Sequence, residues 1–292
     1  MKEIPSDKLN VRNDIVYEIN SQTPFTGNEV QYYDTGEILF KAAYKDGHQE
    51  GESISYYFSG QWNIKANYKK GELNGPYEQF FENGQLYLKD TYKNDKKDGS
   101  SERYYENGQL EFKFTSKNGA LDGPLEFFFE NGQLKSKDTY KNDVRDGSSE
   151  SYFQNGQLHY TTTYKNDKKD GSSERYYENG QLQSTTTYKN DVKDGPQEFF
   201  FENGRLKSKA TYKNDKRDGP YESYNENGQL ELKGTYKNDK RDGYWETYYD
   251  NGKLMTKGTF NNDKRNGSFE WYHENGQLKE KRTYKDGKSL PD

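Results

Sequence analysis

Three kinds of polar residue recur often enough in this 292-residue chain to raise the question of chemistry. The first is Asn-Asp-x-x-Asp-Gly, as in Asn94-Asp95-Lys96-Lys97-Asp98-Gly99. Its carboxylates suggest calcium, which takes about six to eight oxygens converging on one point. A lysine or arginine usually intrudes, so the expectation is a solvated turn. The second is histidine: His48, His159 and His273 lie far apart, whereas metal or general-base sites need convergent groups. The third is serine beside glycine, Ser100-Ser101 and Ser148-Ser149, with no histidine partner in the pattern; these read as strand-entry residues. Phosphoryl transfer would need a glycine-rich phosphate cradle, a strand lysine and carboxylates holding magnesium. The glycines here are spaced as turn glycines instead. The sequence therefore predicts no enzyme, no cofactor and no metal.

Those residues recur because the whole chain does. A 24-residue repeat is written eleven times without a gap, opening at Gly27, Gly51, Gly75, Gly99, Gly123, Gly147, Gly171, Gly195, Gly219, Gly243 and Gly267. Each runs Gly-x-x-Glu-x-aromatic-aromatic-Glu-Asn-Gly-Gln-Leu, then five variable residues, then Tyr-Lys-Asn-Asp, with local departures. A period of this size predicts a stacked array, in which each repeat buries apolar surface only against its neighbours. A lone repeat should not fold. The chain divides into an N-terminal segment 1–26 with a capping strand over Val11–Asn20, the repeats over 27–288, and a tail 289–292.

Asn-Gly between aromatic stretches predicts a two-residue type I′ hairpin, as at Asn83-Gly84 and Asn131-Gly132, and Asn-Asp also suits positive φ. Each repeat thus reads as two strands and two tight turns. That register sets Glu102 opposite Lys113, and likewise Glu78 with Lys89, Glu126 with Lys137, Glu198 with Lys209, Glu222 with Lys233, Glu246 with Lys257 and Glu270 with Lys281. Alternation sorts the fifth repeat into a drier face of Phe129, Leu134 and Tyr140, and a polar face of Phe128, Glu126, Lys137 and Thr139. The fold class expected is all-β: an elongated single-layer antiparallel sheet of consecutive β-hairpins, an open, solenoid-like array.

Composition bounds the partners. Charged residues make up 32% and the net charge is only −5, so acids and bases are interspersed. Mean hydropathy is −1.45, and 28 Tyr, 16 Phe and 3 Trp supply the apolar mass. The pI of about 5.5 argues against nucleic acid or anionic lipid as an electrostatic partner. With no cysteine, the redox compartment is left open. Met1–Val11 lacks the apolar core of a signal peptide. Either the protein is cytoplasmic, or a start methionine replaces a removed signal and the protein is secreted or in the cell envelope.

The stretch Tyr-Tyr-Glu-Asn-Gly-Gln-Leu…Tyr-Lys-Asn-Asp, clean over residues 176–195, resembles the bacterial variant of the MORN repeat found in the YwqK family. The opening Asp14-Ile15-Val16-Tyr17-Glu18-Ile19-Asn20…Pro24-Phe25-Thr26-Gly27 is similar to that family's first segment. The resemblance spans Val11 to Lys288 and implies a MORN-repeat array of β-hairpins. Relatives carry antitoxin or lipid-kinase labels; the kinase label fails on the chemistry above.

These readings converge on a non-enzymatic repeat scaffold for protein–protein interaction, at a cell surface or with a host. An antitoxin-like neutraliser of a cognate toxin and a membrane-lipid recognition module are the alternatives, the latter disfavoured by net negative charge. The candidate partner contacts are the first aromatics on the polar face: Phe80, Tyr104, Phe128, Tyr152, Tyr176, Phe200, Tyr224 and Tyr248.

Overall fold

The computed structural model describes residues 2–291. Apart from one 3-10 turn, Ser6–Lys8, its regular elements are all strands. Two compact units divide it, Met1–Val144 and Arg145–Asp292. Within the first, antiparallel neighbours follow one another from Gly27–Tyr32 through Ile38–Lys45 and His48–Tyr56 to Leu134–Lys141. Within the second they run from Leu158–Lys165 through Lys168–Tyr176 and Leu182–Lys189 to Leu278–Lys285. The short strand Lys288–Ser289 pairs with Tyr284 and Lys285, so the tail joins the sheet by one residue.

The N-terminal segment departs from expectation. The strand that extends the repeat sheet is Glu3–Pro5, which lies parallel to Gly27–Tyr32. Ile15–Glu18, the alternating stretch expected to cap the array, pairs instead with Leu9–Arg12 in a separate hairpin. That hairpin is tied down by Val16 N–H donating to the Gly47 carbonyl at 2.9 Å.

The two turns of each repeat differ, and the two-residue type expected at Asn-Gly is found at Asn-Asp, where positive φ was expected. At Asn94-Asp95 both residues have positive φ, 49° and 61°, joining Lys93 to Lys96 in the two-residue geometry expected for Asn-Gly. The Asn-Gly loop is longer. In the seventh repeat Tyr177 N–H donates to the Gln181 carbonyl at 2.8 Å and Gly180 N–H to the Tyr177 carbonyl at 2.9 Å. Gly180 carries a positive φ of 83°, so Glu178-Asn179-Gly180 is a type I turn closed by a left-handed glycine. The Asn179 side-chain oxygen accepts the Gln181 N–H at 2.9 Å, which holds that shape.

The Glu–Lys register survives the longer loop because a bulge offsets it. Glu102 stands opposite Lys113, and Glu78, Glu126, Glu198, Glu222, Glu246 and Glu270 stand opposite their expected lysines. In the seventh repeat Arg175 pairs with Ser184 and Tyr176 with Leu182, leaving Gln183 as the extra residue. An extra residue turns everything beyond it to the opposite face. Leu182 therefore lies with Tyr176, and Leu134 with Phe128, not on the face of the second-strand tyrosine.

The opening glycines sit within strands, not in turns. Gly195 lies inside Val192–Phe200 with φ 128°, and a Cβ there would stand 3.0 Å from Thr187 Cβ. Both the conformation and the close approach demand glycine.

One face of each unit buries its own middle row. In the first unit that row includes Ala42, Ser53, Ala66, Asp90 and Ser101; in the second, Thr162, Ser173, Thr186, Gln197, Trp245 and Phe269. We call this the buried face and its opposite the ladder face.

Candidate functional site

The ladder face carries all eight predicted contact residues. Phe80, Tyr104, Phe128, Tyr152, Tyr176, Phe200, Tyr224 and Tyr248 are each half-buried, with neither full exposure nor core packing. The hydroxyls of the five tyrosines are spoken for. Tyr104 donates to Glu102 at 2.6 Å, and Tyr152, Tyr176 and Tyr248 donate to Glu150, Glu174 and Glu246 at 2.5 Å. Tyr224 donates to Glu222 and Tyr272 to Glu270 in the same way. Residues two apart on a strand share a face, which makes this contact local and repeatable.

Lysines complete the ladder, often reaching across to the next hairpin. Glu126 is gripped by Lys113 at 2.9 Å and by Lys137 at 3.0 Å, and Glu270 by Lys257 at 2.9 Å and Lys281 at 3.0 Å. Hydrogen bonds from Tyr272, Lys257 and Lys281 pull the Glu270 carboxyl down to about 2. Conversely, the hydrogen bond to Glu174 and partial burial push the Tyr176 phenol up to about 12. Lys113 also lies 5.7 Å from the Phe128 ring and Lys233 5.9 Å from that of Tyr248. The face offers aromatic edges set among paired charges.

The second aromatic, the turn asparagine and the turn aspartate prove to be fasteners between repeats. Tyr177 Oη donates to the Phe200 carbonyl at 2.9 Å, and Tyr105 Oη to that of Phe128 at 3.0 Å. Asn179 Nδ2 donates to the Glu202 carbonyl at 3.1 Å. Asp191 Oδ1 accepts the Lys169 N–H at 2.8 Å, and Asp95 Oδ1 that of Leu73 at 2.7 Å. The Asn-Asp turn is thus a clamp on the preceding repeat, a role that a solvated-turn reading missed. Among the described residues, no group of three His, Cys, Asp or Glu side chains could hold a metal ion. His159 instead packs on Phe153, ring centroids 4.5 Å apart.

The buried face of the second unit holds a feature that the sequence reading did not single out. Where the middle row is small, over Thr162, Ser173, Thr186 and Gln197, a trough of about 770 Å³ opens. Its floor is hydroxyl-rich: Ser173 Oγ donates to Tyr160 Oη at 2.9 Å, and Gln197 Nε2 to Thr186 Oγ1 at 2.9 Å. Tyr160, Tyr164 and Tyr188 form its walls, with Lys169 Nζ 5.2 Å from the Tyr188 ring centroid and 5.7 Å from that of Tyr160. Burial opposes ionisation of Tyr160, but hydrogen bonding from Ser173 and the nearby Lys169 ammonium outweigh it and hold the phenol below its usual range. Tyr164 and Tyr188 are the motif tyrosines, but the small floor and Tyr160 stand at variable positions, which is why the motif could not announce the trough.

No curated protein matches the chain. Among solved structures, the crystal structure of TcdB2-TccC3 aligns at 12% identity and a TM-score of 0.21, covering 87% of this chain and 16% of that one. The TcdB2-TccC3-Cdc42 crystal structure and a Photorhabdus luminescens Tc holotoxin pore each align at 12% identity and a TM-score of 0.20, over 90% of this chain and 18% and 17% of theirs. The chain thus spans under a fifth of those chains, and likeness this slight carries no argument. The repeats themselves are decisive. The family model of the MORN repeat variant matches residues 49–70, 73–94, 97–118, 121–142, 145–166, 169–190, 193–214, 217–238, 241–262 and 265–286. The chain belongs to the MORN repeat variant family, whose repeats serve generally as non-catalytic modules that bind proteins or lipids.

Proposed function

We propose that the chain is a non-enzymatic scaffold whose ladder face docks a protein partner, at a cell surface or against a host protein. The supporting observation is the repetition of one amphiphilic pattern: a half-exposed aromatic beside a Glu–Lys pair, as at Tyr224 with Glu222 and Lys209. Such a surface gains from many weak, equivalent contacts when the partner's spacing fits. Aromatic edges supply contact area at little entropic cost, and flanking charges fix orientation.

A photo-crosslinking amino acid placed at Phe80, Tyr152 or Tyr224 should trap one and the same protein. The same group at Thr186, on the buried face, should not. Equal capture from both faces, or a different protein at each position, would sink this reading. Replacing Tyr152 and Tyr176 together with serine should weaken capture while the β-sheet circular dichroism spectrum is retained.

A further inference from the structure

We infer that the trough of the second unit binds a short acidic oligosaccharide, a linear chain of uronic-acid-type sugars. The inference does not depend on a protein partner for the ladder face.

The argument starts from two places that differ by three repeats. In the first unit, Lys97 Nζ pairs at 2.9 Å with Asp90, a middle-row carboxylate only 1% exposed. Seventy-two residues on, Lys169 occupies the position of Lys97, but Thr162 occupies that of Asp90. Among the described residues, no carboxylate lies within ion-pair distance of Lys169 Nζ, although the backbone N–H of Lys169 donates to Asp191. Three arginines of the same row are paired, Arg145 with Asp167 at 3.7 Å, Arg217 with Asp239 at 3.4 Å and Arg241 with Asp263 at 3.2 Å, whereas Lys193, next along from Lys169, rests 5.1 Å from the Tyr212 ring centroid. The trough has therefore kept the cation and lost the internal anion. A ligand carboxylate can take the place that Asp90 fills elsewhere, replacing a built-in ion pair by a recognised one.

The rest of the lining selects the ligand's other groups. Ser173, Thr186 and Gln183 present hydroxyl and amide groups that both donate and accept, as a sugar's hydroxyls require. Tyr160 and Tyr188 offer ring surface for the apolar face of a sugar ring while keeping a polar tip. The volume of about 770 Å³ lies within the range of small-ligand sites. Glu174 contributes the sole lining carboxylate, and that group accepts the Tyr176 hydroxyl at 2.5 Å.

Isothermal titration of the full chain with tetragalacturonate tests this, with neutral cellotetraose and tetraglutamate alongside. The expected result is saturable binding of tetragalacturonate that weakens in high salt, with cellotetraose and tetraglutamate each at least tenfold weaker. Lys169→Gln should lower affinity by tenfold or more. Thr162→Asp should do the same by restoring the internal ion pair, with the circular dichroism spectrum unchanged because the chain already tolerates that arrangement at Asp90 and Lys97. Lys209→Gln, on the ladder face, should bind as the parent does. No saturable binding by the parent chain, or unchanged binding by Lys169→Gln, would overturn the proposal. Equal affinity for tetraglutamate would overturn the sugar assignment in favour of an acidic peptide, and equal affinity for cellotetraose would remove the role of charge.

Discussion

Two stretches of the second unit share one backbone plan and end in opposite conditions. From Ser149 to Ala210 the middle row of the buried face reads Ser149, Thr162, Ser173, Thr186, Gln197, Ala210. From Tyr221 to Phe269 it reads Tyr221, Gly234, Trp245, Gly258, Phe269. The first gives an open, hydroxyl-lined trough. The second gives a dry cluster of Trp245, Phe260, Phe269 and Tyr284. Glycine makes the cluster possible: a Cβ on Gly234 would stand 2.1 Å from the Trp245 ring, and one on Gly258 2.0 Å from that of Phe269. The difference teaches that the repeated residues build the sheet, while a single variable row decides whether it closes or stays open.

The largest effect should come from emptying the closed stretch. Phe269 is 4% exposed, and Phe269→Ala should cost about 3–5 kcal/mol by chemical denaturation. Ser173→Ala, at the same repeat position in the trough, should cost far less. Parity between the two would end the contrast.

The next test moves one condition into the other. Gln197→Trp overfills the trough and should destabilise by about 1–3 kcal/mol. Adding Thr186→Gly recreates the Phe269–Gly258 arrangement, since Thr186 stands opposite Gln197 as Gly258 does opposite Phe269. A double-mutant cycle should then show favourable coupling of roughly 0.5–3 kcal/mol. Simple additivity would show that the two stretches differ by more than this row.

Smaller again, and equal in both stretches, should be the loss of a fastener. Tyr177→Phe removes the 2.9 Å bond to the Phe200 carbonyl, and Tyr249→Phe the 2.7 Å bond to that of Tyr272. Each should cost about 0.5–1.5 kcal/mol. A clear inequality would mean that the fasteners depend on the core beneath them.

The smallest effect is acid sensitivity of the ladder face. The Glu270 carboxyl sits at about 2 when folded, below its unfolded value near ~4.3. Its contribution is complete above that unfolded value and fades as pH falls toward about 2. Melting temperature measured from pH 6 to pH 2 should fall less steeply for Glu270→Gln than for the parent. Identical slopes would mean that the ladder contributes nothing measurable.

The sequence alone determined the period, the strand content, the Glu–Lys register and the positive-φ turn at Asn-Asp, because each follows from interactions between residues close in the chain. It also placed the eight first aromatics on the face of Glu126 and Lys137. What it could not determine followed from choices made across repeats. The Asn-Gly loop took three residues because Asn179 caps the loop while bonding to the next repeat at Glu202, and the compensating bulge then turned Leu182 to the other face. Likewise, no single repeat shows that Gly234 makes room for Trp245, or that Thr162 leaves Lys169 without the carboxylate that Asp90 gives Lys97. Local pattern encodes the hairpin. Only stacking the hairpins brings residues of successive repeats together, and those contacts decide where the sheet is core and where it is a site.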